Sequence, residues 1–419
     1  MITSQECRQS AHQSASASFL LFSVGGVIGL FNLLQPVQFG TGFEMVALGH
    51  NLAQHGSFAN PFASMNTGPT AANPPLYPLL LALIEVIFRL PKLITLIATI
   101  GVIIANAFTA SLLPRMSMVF FADLRPGIIA GILWLLSVQL MPAWDVSYTV
   151  ALLLSFCLLS ASVVNAQPHR LRAILAGVVA GALFLLNPST ILVILPWIAY
   201  LLLFSRESAW KSLQRLSVTL VPLILIAVAW MIRNEMQLGA FVVRTNLGMT
   251  LYASNNDCAQ PSMVENERSN CYQEYHPNTS SAEARLLRDL GEVSYDHLRL
   301  ASTKAWIQSH PKQFLRLTLA RIRDFWFPPL ELHPYRVSLV WAATALSIPG
   351  LFLMAGHRKA VTVFVLFVSA IYPLMYYIVV SDVRYRYPIL WLTLLPAGYF
   401  LAHLLPLKRL RIGSHGQAG

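Results

Sequence analysis

Residues 126–165 read PGIIAGILWLLSVQLMPAWDVSYTVALLLSFCLLSASVVN, and Asp145 is the one acidic or basic side chain among them, counting Asp, Glu, Lys and Arg. Two apolar runs of about 20 residues flank the Trp144–Asp145 turn, the length at which a helix crosses about 30 Å of hydrocarbon. Working outward, similar runs lie at 19–38, 93–113, 171–187, 189–204, 216–233, 337–355, 360–380 and 388–406. The 419 residues are 56% hydrophobic and 11% charged, against roughly 25% charged in soluble domains. Too few charges remain to wet a globule of this size, so lipid must solvate much of the surface. The pattern predicts an all-α polytopic membrane protein. It excludes disordered, collagenous, coiled-coil and disulfide-scaffold classes, and the runs do not alternate as barrel strands do.

The net charge of +11 does not indicate a nucleic-acid partner once the charges are located. Residues 235–331 carry 11 acids and 10 bases, whereas the rest of the chain holds 19 bases against 7 acids. Those bases cluster at the ends of apolar runs, as cytoplasmic loops do. Arg115 and Arg125, His169 to Arg172, Arg206 to Arg215, His357 to Lys359 and Lys408 to Arg411 mark that side. The segments left for the opposite side are 39–75, the Trp144–Asp145 and Asn187–Pro188 turns, 234–336 and 381–387. The resulting division is a cytoplasmic tail (1–18), a transmembrane module (19–233) containing the first extracytoplasmic loop (39–75), a large loop domain (234–336), C-terminal spans (337–406) and a second tail (407–419).

Leu76 to Leu90 is apolar but short and carries Glu85. A full crossing there would reverse every later span, so it reads as a re-entrant or partial helix. In the large loop, Ser281 to Leu300 has leucines at helical spacing, and Pro311 to Trp326 is a second amphipathic stretch ended by Pro328 and Pro329. Cys258 and Cys271 share this loop and are expected to pair in an oxidising compartment, with two unpaired thiols as the alternative. Cys7 and Cys157 are not natural partners, and no His/Cys spacing suggests a metal.

Outside the large loop, Glu44, Asp145 and Asp382 are the acids expected near the extracytoplasmic membrane surface. Partial desolvation there makes a carboxylate a usable proton acceptor. In GFEMVALGHNLAQHG (42–56) a helical reading places Glu44, Asn51 and His55 within about 40° on one face, with Met45, Leu48 and Leu52 on another. The alternative is an ordinary amphipathic helix with a solvated polar face. The Pro-, Gly- and Asn-rich stretch through Asn73 and Tyr77 then predicts a rigid path suited to a substrate groove. Arg384 and Arg386 in SDVRYRYPI, with Arg233 and Arg244 in reserve, lie against the topological bias and call for an anion such as a lipid phosphate; headgroup anchoring is the alternative.

The order of these signals, from about Phe39 to Leu405, resembles the GT-C polytopic glycosyltransferases. It is closest in character to bacterial relatives of protein O-mannosyltransferases and the lipid A aminoarabinose transferase, a family-39-like pattern. Glu44 through ANPPLYP resembles the family's first loop, WDVSY (144–148) its next turn, and LLNPS (185–189) its apolar hairpin. WMIRNEMQLGAFVVRTNLGMTLYASNN and WIQSHPKQFLRLTLARIRDFW resemble the entry and exit of the large loop, and RYRYPI the motif before the last span.

The resemblance implies a GT-C fold with about 10–11 spanning helices and a helical or mixed periplasmic loop domain in a bacterial inner membrane. It implies a polyprenyl-phosphate sugar as donor, no required cofactor, a glycan, lipid or protein acceptor, and inverting transfer on the periplasmic face. Glu44 would be the general base and Asp145 the second carboxylate. Many relatives place an acid about three residues before Glu44, where this chain has Thr41, which leaves no carboxylate pair for a metal. A nucleotide-sugar donor does not fit, because no Gly-rich phosphate loop is present. A transporter or flippase is the main alternative, but its usual internal repeats and midplane charges are not evident; a non-catalytic scaffold on the same fold is a third.

Overall fold

The computed structural model describes residues 4–33, 43–138, 144–165, 170–204, 208–330 and 334–405. Thr41, the basic residues His169, Arg206, Lys408, Arg409 and Arg411, and the span ends at 34–38 and 139–143 lie outside them. The described residues are helical with no strand; two isolated bridges, Ala59 with Pro69 and Ser262 with Ser381, are the only β pairings. Seven helical segments among them are long and apolar enough to cross a bilayer: His12–Leu33, Lys92–Phe121, Val146–Val164, Ala209–Leu238, Pro334–His357, Lys359–Tyr377 and Val383–Leu404. The runs expected at 126–143, 171–187 and 189–204 form the shorter helices Arg125–Ser137, Arg170–Leu186 and Ile191–Phe204. Residues 4–18, expected as a tail, continue the first spanning helix, Ser4–Leu33. The helix entering the large loop runs to Leu238, five residues beyond the expected boundary, and ends at Gly239 with φ of 69°.

Tyr387–Leu404 is the centre of the bundle, with every residue from Tyr387 to Tyr399 buried. Small residues make that possible. A Cβ on Gly350 would stand 2.1 Å from the Pro396 carbonyl oxygen, and one on Gly398 would stand 2.3 Å from that of Pro126. The helix is thus gripped between Pro334–His357 and Arg125–Ser137 at backbone contact, the small-residue packing that substitutes for hydrophobic drive in lipid. Trp134, Trp197 and Phe120 lie around it, with Trp391 of the helix itself in the same core. Ala209–Leu238 is peripheral and exposes Val221, Ile224, Leu225 and Ile232, a face that lipid would cover.

Helix ends sort into two groups. At one, the Arg358 guanidinium donates to the Phe121 carbonyl (2.7 Å), Arg215 to that of Val164 (2.7 Å) and Arg125 to that of Ala402 (3.5 Å). Cations there satisfy carbonyls left over at helix C-termini and complement the helix dipoles. At the other, Arg244 reaches Ala72, Arg384 lies over Trp144, Ser189 meets Tyr376 and Arg386 reaches Trp326. The segments expected opposite the basic clusters therefore converge on one end of the molecule.

Leu76–Phe88 has 13 residues, about 20 Å at 1.5 Å each, too short to span. It packs on Phe43–His55 instead, where Gly49 allows close approach: a Cβ there would lie 2.8 Å from that of Leu81. Glu85 seals the pair, 2.8 Å from both His50 Nδ1 and Gln54 Nε2. In the large loop the stretch 281–300 is broken by Gly291 (φ 78°) into Ser281–Leu290 and Glu292–Ser309, and Pro311–Trp326 follows with proline in its first turn. Cys258 and Cys271 form a disulfide with an S–S distance of 2.04 Å, and Cys157 is free and buried.

Replacing Gly350 by Ala drives a methyl into a backbone carbonyl that has no rotamer to yield. We expect a loss of about 1–3 kcal/mol, read as a lowered unfolding temperature of the purified protein in detergent.

Candidate active site

Glu44 occupies the first turn of Phe43–His55, where a carboxylate complements the helix dipole. Its Oε2 accepts from Asn73 Nδ2 at 3.1 Å, and its Oε1 faces His276 Nε2 at 3.6 Å. Asn73 is buried at the end of the rigid first-loop path, as is Tyr77, whose ring lies 5.6 Å from that of Tyr148. Burial first, then Tyr148 and Asp145, push the Tyr77 phenol up.

Asp145 sits immediately before Val146–Asn165. Burial raises its pKa to about 6, while Arg384 and Arg244 act in the opposite sense. Arg384 is placed by the 3-10 turn Val383–Arg386, whose preceding Asp382 accepts from the Arg384 backbone N–H at 3.0 Å. Its guanidinium lies 3.5 Å over the Trp144 ring, with Nε 3.3 Å from Asp382 Oδ2. Arg244 donates from Nε (3.1 Å) and Nη2 (2.7 Å) to the Ala72 carbonyl. Burial presses its pKa down, and Asp145, Tyr376, Glu44 and Tyr385 oppose that. Arg244 is thus the cation that stands in the fields of both candidate carboxylates.

The remaining expected site residues do other work. Arg386 is 2% exposed and ties helices together, donating to the Trp326 carbonyl (2.5 Å), Thr344 Oγ1 (2.7 Å) and Thr393 Oγ1 (3.3 Å). Its guanidinium is engaged inside the bundle and does not join Arg384. Arg233 clamps the first loop through the carbonyls of Thr70 (2.7 Å) and Phe58 (2.9 Å), with its guanidinium over the Phe58 and Trp230 rings. Asn51 Nδ2 donates to the Ala59 and Asn60 carbonyls, and His55 is exposed at the helix end. Neither accompanies Glu44.

Several residues of this end carried no sequence signal. Tyr272 stacks on His276 at 4.6 Å, and Tyr376 stacks on Tyr385 at 4.6 Å while its hydroxyl lies 2.9 Å from Ser189 Oγ. Glu292, inside the leucine-patterned stretch, is buried against the first loop: Thr70 Oγ1 (2.5 Å), the Ala71 N–H (2.7 Å) and Thr245 Oγ1 all donate to it. Among the described residues no group of three or more His, Cys, Asp and Glu side chains is arranged to hold a metal ion.

The apolar helices define a multi-pass membrane fold with a polar cluster gathered at one end of the bundle, and that fold is the one seen in GT-C oligosaccharyltransferases. The archaeal oligosaccharyltransferase AglB from Archaeoglobus fulgidus, solved in complex with an inhibitory peptide and a dolichol-phosphate, has the same fold. It matches with a TM-score of 0.53 and 13% identity over 92% of this chain. Archaeoglobus fulgidus oligosaccharyltransferase structures in the apo form and in complex with Zn and sulfate each match with a TM-score of 0.52 and 12% identity. This chain spans about half the length of those proteins, 50% in the first two and 49% in the third. No protein-family model and no curated protein sequence matches it.

The raised pKa of Asp145 has a thermodynamic consequence. In the unfolded chain the group ionises near 3.8, and in the fold near 6, so the folded state binds the extra proton between those values. Its stabilising contribution is complete below the lower value and is lost as pH rises through the upper one. Asp145→Asn should flatten that slope, as seen by comparing unfolding temperatures of wild type and variant across the interval.

Proposed function

We propose that the chain is an integral-membrane glycosyltransferase that moves a sugar from a polyprenyl-phosphate donor to an acceptor hydroxyl or amine. The reading places the site on the periplasmic face of a bacterial inner membrane. The observation that carries it is the gathering of cations and carboxylates at one end of the bundle: Arg384 lies 3.5 Å over Trp144, the neighbour of Asp145, while Arg244 holds the Ala72 carbonyl (2.7 Å) beside Asn73, which donates to Glu44 (3.1 Å). The structural neighbour solved in complex with an inhibitory peptide and a dolichol-phosphate supports a lipid-linked donor on this fold.

Glu44, oriented by Asn73, takes the acceptor proton as the nucleophile attacks the anomeric carbon. The carbon–oxygen bond to the lipid phosphate breaks on the opposite face, the configuration inverts, and the phosphate leaves with the bonding pair. Arg384 and Arg244 stabilise its charge, a contribution of about 2–4 kcal/mol for one such group. Asp145 lies in the fields of both cations and keeps them compensated when the phosphate is absent. Arg233 and Arg386 are committed to backbone and hydroxyl partners and hold the scaffold.

The test is transfer of radiolabel by purified protein from polyprenyl-phosphate mannose, glucose or aminoarabinose. Glu44→Gln should lower turnover roughly 10²- to 10⁴-fold, the range of a lost general base, with donor affinity little changed. Arg384→Gln should weaken both donor binding and turnover. Wild-type rates in Glu44→Gln would reject Glu44 as base. Lipid translocation without transfer would favour the flippase reading.

A further inference from the structure

His276 is buried among groups that fix its protonation without any appeal to the reaction. Its Nδ1 faces the backbone N–H of Asn278 at 3.2 Å, and a backbone N–H can only donate, so Nδ1 must be the bare nitrogen. The proton of the neutral ring then sits on Nε2, the atom 3.6 Å from Glu44 Oε1. The ring is locked in plane by stacking on Tyr272 (4.6 Å, 15°) and by an edge contact with Phe62 (5.8 Å, 78°). Two carboxylates act on it, Glu44 from the first loop and Glu283 from Ser281–Leu290. Glu283 is itself compensated by Arg299 (2.5 Å) and by the Tyr295 hydroxyl (2.7 Å).

From this geometry we propose that His276 is a positioning residue for Glu44: its neutral Nε2–H stands 3.6 Å from one carboxylate oxygen, just outside hydrogen-bonding distance, and closes to donate to it when the acceptor binds, while Asn73 already holds the other oxygen. It acts through Glu44 and so rests on the reading of Glu44 as base. Protonating Nδ1 would set it against the Asn278 N–H, and burial opposes the cation further. The carboxylate is therefore oriented by a neutral group, which leaves its charge free to accept the acceptor proton. The large loop in this way completes a site whose base comes from the first loop.

Two substitutions separate donor from packing. His276→Gln keeps an amide N–H near the Nε2 position and discards the ring; His276→Phe keeps the ring stack and discards the donor. With polyprenyl-phosphate sugars as probes, the Phe variant should lose about 10- to 100-fold in kcat with KM for the donor unchanged, the scale of a misplaced catalytic group. The Gln variant should retain most of kcat. A Phe variant at wild-type kcat, or a Gln variant as slow as Phe while unfolding at the wild-type temperature, overturns the proposal. An activity-free readout separates its failure from that of the transferase reading: ¹⁵N solid-state NMR of the full chain in lipid at about pH 7. The spectrum should show His276 protonated on Nε2 alone, with that resonance moved by Glu44→Ala. An Nδ1–H tautomer, an imidazolium, or indifference to Glu44→Ala overturns the proposal whether or not transfer is observed.

Discussion

The arrangement depends on three charged side chains gripping three successive residues of the first loop, Thr70 to Ala72. Arg233 takes the Thr70 carbonyl, Glu292 the Thr70 hydroxyl and the Ala71 N–H, and Arg244 the Ala72 carbonyl. Asn73, next in sequence, is thereby delivered to Glu44. Burying Glu292 is unfavourable in itself, and burial raises its pKa, but the donors from Thr70, Ala71 and Thr245 offset the lost hydration. The grip is also a coupling, because Arg233 belongs to a peripheral helix while Arg244 and Glu292 belong to the large loop. The loop's own hydrogen bonds, such as Asn60 N–H to the Gly68 carbonyl (2.9 Å) and Gly68 N–H to Asn60 Oδ1 (2.8 Å), shape its tip, and the three charged groups fix where its last residues sit.

Arginines in this molecule divide by what surrounds the guanidinium and not by where they lie in the chain. Arg321 is fully buried and spends its donors on Asn255 Oδ1 and the Ser254 carbonyl, closing the end of Leu247–Ser254. Arg386 does the same for the top of the central helix. Arg384 instead lies flat on Trp144 beside Asp145, a weakly hydrated cation held by an aromatic face. The planar fork suits all three uses, which is why composition near the membrane surface does not reveal which arginine faces a ligand.

The membrane class, the two-ended distribution of charge and the convergence of the loops were legible because apolar run length and basic clusters follow directly from bilayer physics. Glu44 and Asp145 stand out as candidates by scarcity, because few acids lie near the surface. Their companions were harder to read. Asn51 and His55 share the angular face of Glu44 but lie about 10 and 16 Å farther along the axis at 1.5 Å per residue, and angle alone conceals that. Arg384 and Arg386 look equivalent until the turn proves to be a 3-10 helix. At about 120° per residue, positions two apart then diverge. His276, Tyr272 and Glu292 reach the site through folding of the large loop, and no local spacing encodes contacts some 200 residues apart in sequence.

The backbone-tight seat of Tyr387–Leu404 constrains how the molecule is made. That helix lies later in the chain than both of the helices that grip it, so neither Arg125–Ser137 nor Pro334–His357 can reach its final seat until the segment that fills the space between them has followed. The apical cluster, whose Arg384 immediately precedes this helix, is therefore incomplete until that segment has been made, and a nascent chain stalled before residue 384 holds its carboxylates without that counter-charge.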